Sequence, residues 1–111
     1  MLEGFWTAEF QGIANFFGGA VVILIGSRLY GGDSQYYYTG FYDVKDKTLT
    51  GLLQVTAFVP GATTVFGTHE RNFTIHLNGT IGENFINAVG IRPDNPNLRL
   101  PIALTKRADL P

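Results

Sequence analysis

Gly4-Phe5-Trp6-Thr7-Ala8-Glu9-Phe10-Gln11 is the stretch whose pattern decides the fold. Trp6, Ala8 and Phe10 alternate with Thr7, Glu9 and Gln11. Successive side chains of a strand point to opposite faces, so this alternation buries one face and wets the other. A first β-strand is predicted over Glu3–Gln11. The remainder of the chain agrees with it. Fourteen glycines, 14% aromatic residues and recurrent threonine are a β composition. No window sustains the spacing of an amphipathic helix.

Outward from that stretch, strands are predicted at Phe16–Ile25, at Arg28–Gly31 ending in Gly32-Asp33-Ser34, and at Tyr37–Val44. Lys45-Asp46-Lys47 turns the chain into a fifth strand, Thr48–Phe58, whose Leu49, Gly51, Leu53, Val55 and Ala57 share one face. Three more follow at Arg71–Leu77, Glu83–Ile91 and Leu98–Lys106. In the sixth, Phe73, Ile75 and Leu77 are expected inside, with Thr74 and His76 outside. Asn78-Gly79 reads as the next hairpin turn, because both central positions of the favoured turn need positive φ. Arg92-Pro93-Asp94-Asn95-Pro96-Asn97 reads as a loop. Pro101 removes a ladder donor from the eighth strand, which predicts an edge or a bulge there.

Eight strands joined mainly by short turns form a meander. Closure on itself removes the exposed edges and leaves room for side chains or one small ligand. The predicted fold is therefore all-β, an eight-stranded antiparallel up-and-down barrel, with an open sandwich as the alternative. A length of 111 residues makes it one domain, 1–111. Inside the barrel, Trp6, Phe10 and Phe73 are expected to fill the lumen, and Gly51, Ala57 and Ala88 to leave space.

Composition removes several functions. The absence of cysteine excludes disulfides, thiolate nucleophiles and cysteine zinc sites. Eight Lys plus Arg against nine Asp plus Glu give a net charge of −1 without a basic stripe, which argues against nucleic-acid binding. The longest apolar stretch, Ile13 to Gly26, carries Gly18 and Gly19 and follows Glu3 and Glu9 rather than basic residues. A spanning helix needs about 20 apolar residues, and a secretory signal needs positive charge before its core. The stretch reads as a buried strand, so the cytoplasm is expected and a membrane is not. Asn72-Phe73-Thr74 and Asn78-Gly79-Thr80 match the glycosylation pattern but carry no weight without a signal.

Catalytic constellations are equally thin. His69 and His76 are the only histidines, and His69-Glu70 alone does not make a metal site. No nucleophile elbow or triad pattern is present. Asp43 and Asp46 flank a turn, where aspartate bonds locally. Gly18-Gly19 and Gly31-Gly32 lack the context of a phosphate cradle. No enzyme activity, cofactor or metal is expected. The one polar pairing a barrel mouth could assemble is Asp33 with His69.

Two segments are less bland. Tyr36, Tyr37 and Tyr38 are consecutive and cannot all face one side, so at least one phenol is displayed. With Asp33 just before them they are candidates for a ligand mouth or an interface. Phe58-Val59-Pro60-Gly61-Ala62-Thr63-Thr64-Val65-Phe66 is a long loop rich in apolar side chains. Such a loop folds back as a lid or docks on a partner, which makes Phe58, Val59 and Phe66 candidates as well.

Gly4, a spacer and Trp6 at the head of a first strand resemble the opening of the lipocalin-like (calycin) barrels. The resemblance implies that the Trp6 indole plugs the closed end, and that Lys106 or Arg107 lies across it. Over almost its whole length the chain resembles one family more closely. The residues that carry this are Gly4-Phe5-Trp6-Thr7, Phe17-Gly18-Gly19-Ala20-Val21-Val22, Tyr30-Gly31-Gly32-Asp33-Ser34, Tyr36-Tyr37-Tyr38 and Tyr42. Farther on they are Val55-Thr56-Ala57-Phe58-Val59-Pro60-Gly61, Asn97-Leu98-Arg99 and Leu104-Thr105-Lys106-Arg107. In these the chain resembles the GrlR-like family, small bacterial β-barrel proteins named for a negative regulator of type III secretion genes. The resemblance implies a lipocalin-like barrel that forms a homodimer. For the named regulator it also implies sequestration of a transcriptional activator through an exposed acidic run. This chain has no such run; Asp43-Val44-Lys45-Asp46-Lys47 alternates charge instead. The function expected first is thus a non-enzymatic regulatory or protein-interaction barrel. The alternative is a carrier of a small apolar ligand in the lumen.

Overall fold

The structure is a computed structural model that describes residues 2–11 and 17–111. Phe16, expected to open the second strand, and the Ile13–Phe16 part of the apolar stretch lie outside the described residues. The strands are β1 (Gly4–Gln11), β2 (Phe17–Ile25), β3 (Arg28–Gly32), β4 (Tyr36–Lys45), β5 (Thr48–Ala57), β6 (Asn72–Ile81), β7 (Phe85–Arg92) and β8 (Asn95–Ala108). Each pairs antiparallel with the next and β8 pairs back onto β1, so the sheet is a closed barrel rather than an open sandwich. No helix occurs among the described residues. This is the architecture expected of a lipocalin-like barrel.

The two-residue alternation becomes the inside and the outside of the barrel. Trp6 and Ala8 of β1, Leu53 and Val55 of β5, and Leu100 and Leu104 of β8 are all buried. Gly26-Ser27 joins β2 to β3 with φ of 54° and 67°, the double positive φ that a two-residue hairpin turn requires.

Two sequence expectations need correction, and a third is met in part. Asn78-Gly79 is not a turn: β6 runs through it to Ile81, and the chain reverses at Gly82-Glu83-Asn84. A hydrogen bond of 2.8 Å from the Gly82 amide to the Phe85 carbonyl closes that reversal. Gly79 instead permits close packing on β7, since a Cβ there would lie 2.9 Å from the Ala88 Cβ and 3.0 Å from the Asn87 carbonyl oxygen. The Arg92–Asn97 loop shrinks to Pro93-Asp94, because Arg92 belongs to β7 and Asn95 begins β8. The third concerns β8. Among the described residues its pairing with β1 ends at Phe10↔Ile102, so Pro101 has β7 alone beside it, the edge-like place its missing donor predicted. Its bulge is elsewhere: Phe5 pairs with Ala108 and Trp6 with Lys106, leaving Arg107 as the extra residue.

A meander sends alternate connections to opposite ends. The β2–β3, β4–β5 and β6–β7 turns gather at one end, and the β3–β4, β5–β6 and β7–β8 connections at the other. Trp6 occupies the first end, 1% exposed, and its Nε1–H donates to the Leu2 carbonyl at 3.0 Å. Its cross-strand neighbour Lys106 is 11% exposed along the side chain and pairs with Asp109 at 2.7 Å. A Cβ on Gly4 would sit 2.7 Å from the Lys106 Cε and 2.5 Å from the Ala108 carbonyl oxygen, so the passage of that side chain needs a glycine. Arg107 is exposed, with Nε donating to Thr7 Oγ1 at 2.9 Å. Of the two basic residues only Lys106 shares the inner side with Trp6.

Candidate functional site: a capped lumen

At the opposite end, the β3–β4 connection is built around Asp33. Its Oδ1 accepts the amides of Gln35 and Tyr36, each at 2.8 Å, in the local turn that aspartate favours. Its Oδ2 accepts the Tyr38 hydroxyl. Alternation along β4 turns Tyr36 and Tyr38 inward and leaves Tyr37 outside, 45% exposed. The Tyr36 hydroxyl donates to the Glu70 carbonyl at 2.9 Å. Burial is the main cause that raises the Tyr38 phenol above its ordinary value, followed by its hydrogen bond to Asp33 and the Asp33 charge. Burial, then the charges of Asp33 and Glu70, raise that of Tyr36 as well. Both rings therefore stay protonated donors at neutral pH.

The β5–β6 connection, residues 58–71, folds back over the barrel. Ala62, Thr64 and Phe66 in it are buried. The Thr64 Oγ1 accepts the amides of Phe66 at 3.1 Å and Thr68 at 3.3 Å, and lies 2.8 Å from Thr68 Oγ1. The Gln35 side chain clamps this loop to the β3–β4 connection. Its Oε1 accepts the Thr63 amide at 3.0 Å, and its Nε2 donates to the Thr63 carbonyl at 3.3 Å.

Arg92, at the end of β7, locks the cap from the third connection. It is 3% exposed. Two nitrogens bind the Glu70 carboxylate in a fork, Nη2–Oε2 being 2.5 Å, and Nε and Nη2 reach Asp94 at 2.9 and 2.6 Å. The guanidinium carbon lies 4.7 Å from the Phe73 ring centre and 5.7 Å from that of Phe66. A planar, always-charged fork suits both jobs. Hydrogen bonds from Arg92 are the main cause that holds Glu70 below the ordinary carboxylate range, with a further bond from Thr68. Phe73 meets Phe66 and Tyr36 edge-to-face at 6.2 and 6.0 Å, so ion pair and aromatic cluster are one unit.

Beneath the cap lies a cavity of about 380 Å³. Aliphatic side chains such as Val55, Ile75, Leu77, Leu100 and Leu104 form its walls, and Asp33, Gln35, Tyr38, Thr63 and Thr64 its polar rim. Among the described residues that line it there is no Lys, Arg or His. The small side chains of Ala8 and Ala20 on β1 and β2 line it, whereas the Phe10 ring takes the place of a Gly18 side chain. Gly51, Ala57 and Ala88, expected to leave room, do not line it, and the Leu77 side chain lies 3.5 Å from where a Gly51 Cβ would be. Phe10 and Phe73 line the cavity, whereas Trp6 sits beyond it at the closed end.

Of the residues singled out in the sequence, Asp33, Tyr36, Tyr38 and Phe66 meet at this lumen. Tyr37 points away from it; Phe58 is 54% exposed; Val59 is half-buried and offers its carbonyl to Arg71 at 2.7 Å. His69 is exposed, with Nδ1 3.3 Å from Thr63 Oγ1, and does not share the cavity with Asp33. No cluster of three metal-binding side chains occurs among the described residues. Nothing local in the sequence singles out Gln35, Glu70 or Arg92 for this site. Closure of the meander is the available signal, because it brings their three connections to one end.

No family model matches the chain, and no curated protein matches it. The likeness to GrlR-like proteins accordingly rests on the residues quoted for it.

Proposed function

We propose that the protein is a non-catalytic barrel that holds one small, mainly apolar ligand in its lumen beneath the 58–71 cap. The observation that carries this reading is the 380 Å³ cavity itself, walled by aliphatic side chains and roofed by Phe66. Ligand sites are concave, mostly apolar spaces of about 300–1,000 Å³ with a few placed polar groups. A cavity of about 150 Å³ accepts benzene, so this one takes about fifteen non-hydrogen atoms. Titration calorimetry with 1-decanol tests the reading. One molecule should bind per chain, and Ala20→Phe, which puts a ring into the lumen, should abolish binding while the barrel still melts cooperatively. Absence of heat with the wild-type protein, or equal binding by the variant, sinks it.

A second reading has its own support. The outer face of β1–β4 carries Phe5, Val21, Ile23, Ile25, Tyr30 and Phe41, each exposed by more than a third. Strand pairing puts Phe5 beside Ile23 and Ile23 beside Tyr30, while the exposed Arg28 stands between Ile25 and Phe41, so the patch is apolar around one cation. At about 200 Å² per aromatic side chain, it amounts to roughly 500 Å² of apolar surface. That suffices for the core of one half of a standard interface, about 800 Å² per partner. A second copy is the occupant this reading names, because an apolar face is complementary to itself and the GrlR-like resemblance implies a dimer. A regulatory role would then use the dimer, with the lumen ligand as its signal. Light scattering after size exclusion should give twice the chain mass, and Ile23→Lys should return it to the monomer. A monomeric wild type ends this second reading alone.

A further inference from the structure

We infer that the lumen selects amphiphiles with an ammonium head, held against Asp33 at the cavity mouth, while the apolar chain lies deeper among Leu53, Leu77 and Leu104. This rests on the lumen being a ligand site, as proposed above, and adds the class of ligand. The Asp33 carboxylate is the only formal charge among the described residues that line the cavity. Among the described residues no cation pairs with it: the ion pairs formed are Arg92 with Glu70 and Asp94, and Lys106 with Asp109. Asp33 is half-buried, so its carboxylate has lost part of its hydration without gaining a countercharge, and a ligand that supplies one is favoured.

The acceptor inventory points the same way. A carboxylate offers about four acceptor positions. Asp33 uses two on Oδ1 for the amides of Gln35 and Tyr36, and one on Oδ2 for Tyr38. One remains on Oδ2, and Asp33 lines the cavity. The Tyr38 oxygen, having donated its proton to Asp33, keeps a lone pair for a second N–H. Tyr36 and Tyr38 border the same space, and aromatic rings attract cations. The Gln35 amide, in contrast, spends its oxygen and one of its two N–H groups on Thr63 and leaves an anion a single neutral donor, with no charge to meet it. A carboxylate head would meet Asp33 with no cation on the wall. An alcohol fits without the charge term.

Calorimetric titration of the full chain at neutral pH with decylamine, 1-decanol and decanoate tests this, since the three share one chain and differ in head. Decylamine should bind about tenfold or more tighter than decanol, the factor that one charge-assisted hydrogen bond supplies. Decanoate should be the weakest. Asp33→Asn keeps an oxygen for the two turn amides and should bring amine and alcohol to within about threefold, the amine losing most. Tyr38→Phe leaves the Asp33 charge in place and frees a further acceptor on Oδ2, so it should keep or widen the amine preference, a second readout if the Asp33→Asn variant fails to fold. Decanoate binding as tightly as decylamine overturns it, as does an amine preference that Asp33→Asn retains or that Tyr38→Phe abolishes. Those outcomes leave the lumen reading standing if decanol binds; failure of all three probes removes both.

Discussion

At one end of the barrel Trp6 reaches 1% exposure with a single polar bond, Nε1–H to the Leu2 carbonyl. At the other, Arg92 reaches 3% exposure only by placing its donors on Glu70 and Asp94 and its plane near Phe66 and Phe73. The first closure is apolar burial and holds whatever the charge state of its surroundings. The second depends on ionised partners, so it can be loosened without dismantling the barrel. The cavity lies under the second.

The largest effect should come from the closed end. Trp6→Ala removes a fully buried indole, a class of change that costs about 3–5 kcal/mol, and should lower the melting temperature by about 10–25 °C. An unchanged melting temperature would mean that Trp6 is not the plug. At the capped end, Arg92→Ala leaves Glu70 without its partner beneath the loop and should cost about 2–4 kcal/mol. Its signature is local: the amides of Phe66 and Gly67, both bonded to Thr64, should exchange with solvent much faster, while those of β1 and β2 keep their protection. Uniform loosening of the whole barrel would erase the distinction between the ends.

A third, smaller effect depends on pH. Glu70 is held below its ordinary value near 4.5, chiefly by hydrogen bonds from Arg92. A carboxylate whose folded value is depressed stabilises the fold fully above its unfolded value, and that stabilisation is lost as pH falls through the folded value. Melting temperatures stepped from pH 7 to pH 3 should therefore fall below about pH 4.5. Part of that slope should vanish in Glu70→Gln; identical slopes would remove Glu70 from the lock. Smallest of all is Tyr37→Ala, on the outside of the capped end, which should change stability by no more than about 0.5 kcal/mol. A larger loss by denaturant titration would mean that the outer phenol braces β4.

The barrel was legible because alternation at Trp6-Ala8-Phe10 and at Leu49–Ala57 is a local signal, and each strand carries its own copy. Asn78-Gly79 misled for the same reason. The dipeptide states a turn preference, but the inward glycine is demanded by Ala88 across the strand pair, which no local window shows. The cap was half legible. An apolar run in a loop, Phe58–Phe66, announces burial, and Asp33 before three tyrosines announces a structured turn. Arg92 carried no such announcement, since Arg-Pro-Asp reads as solvent-facing until Glu70, 22 positions away, is brought beside it. The lumen volume was not legible at all. It is a small difference between ring sizes and glycine positions on facing strands, and the small residues responsible proved to be on β1 and β2 rather than at Gly51, Ala57 and Ala88.

The chain contains one tryptophan, and it sits at the closed end, while Tyr36 and Tyr38 border the cavity. The indole therefore marks the closed end, while phenols stand at both ends, since Tyr42 is buried beside Ser27 of the β2–β3 turn. Light absorbed by the indole alone reports whether the barrel is intact and is insensitive to what enters the mouth. Ultraviolet absorbance of the two phenols responds to a guest beside Asp33. One unlabelled sample thus yields an indole reading for folding and, as a difference spectrum among the five phenols on adding guest, a reading for occupancy.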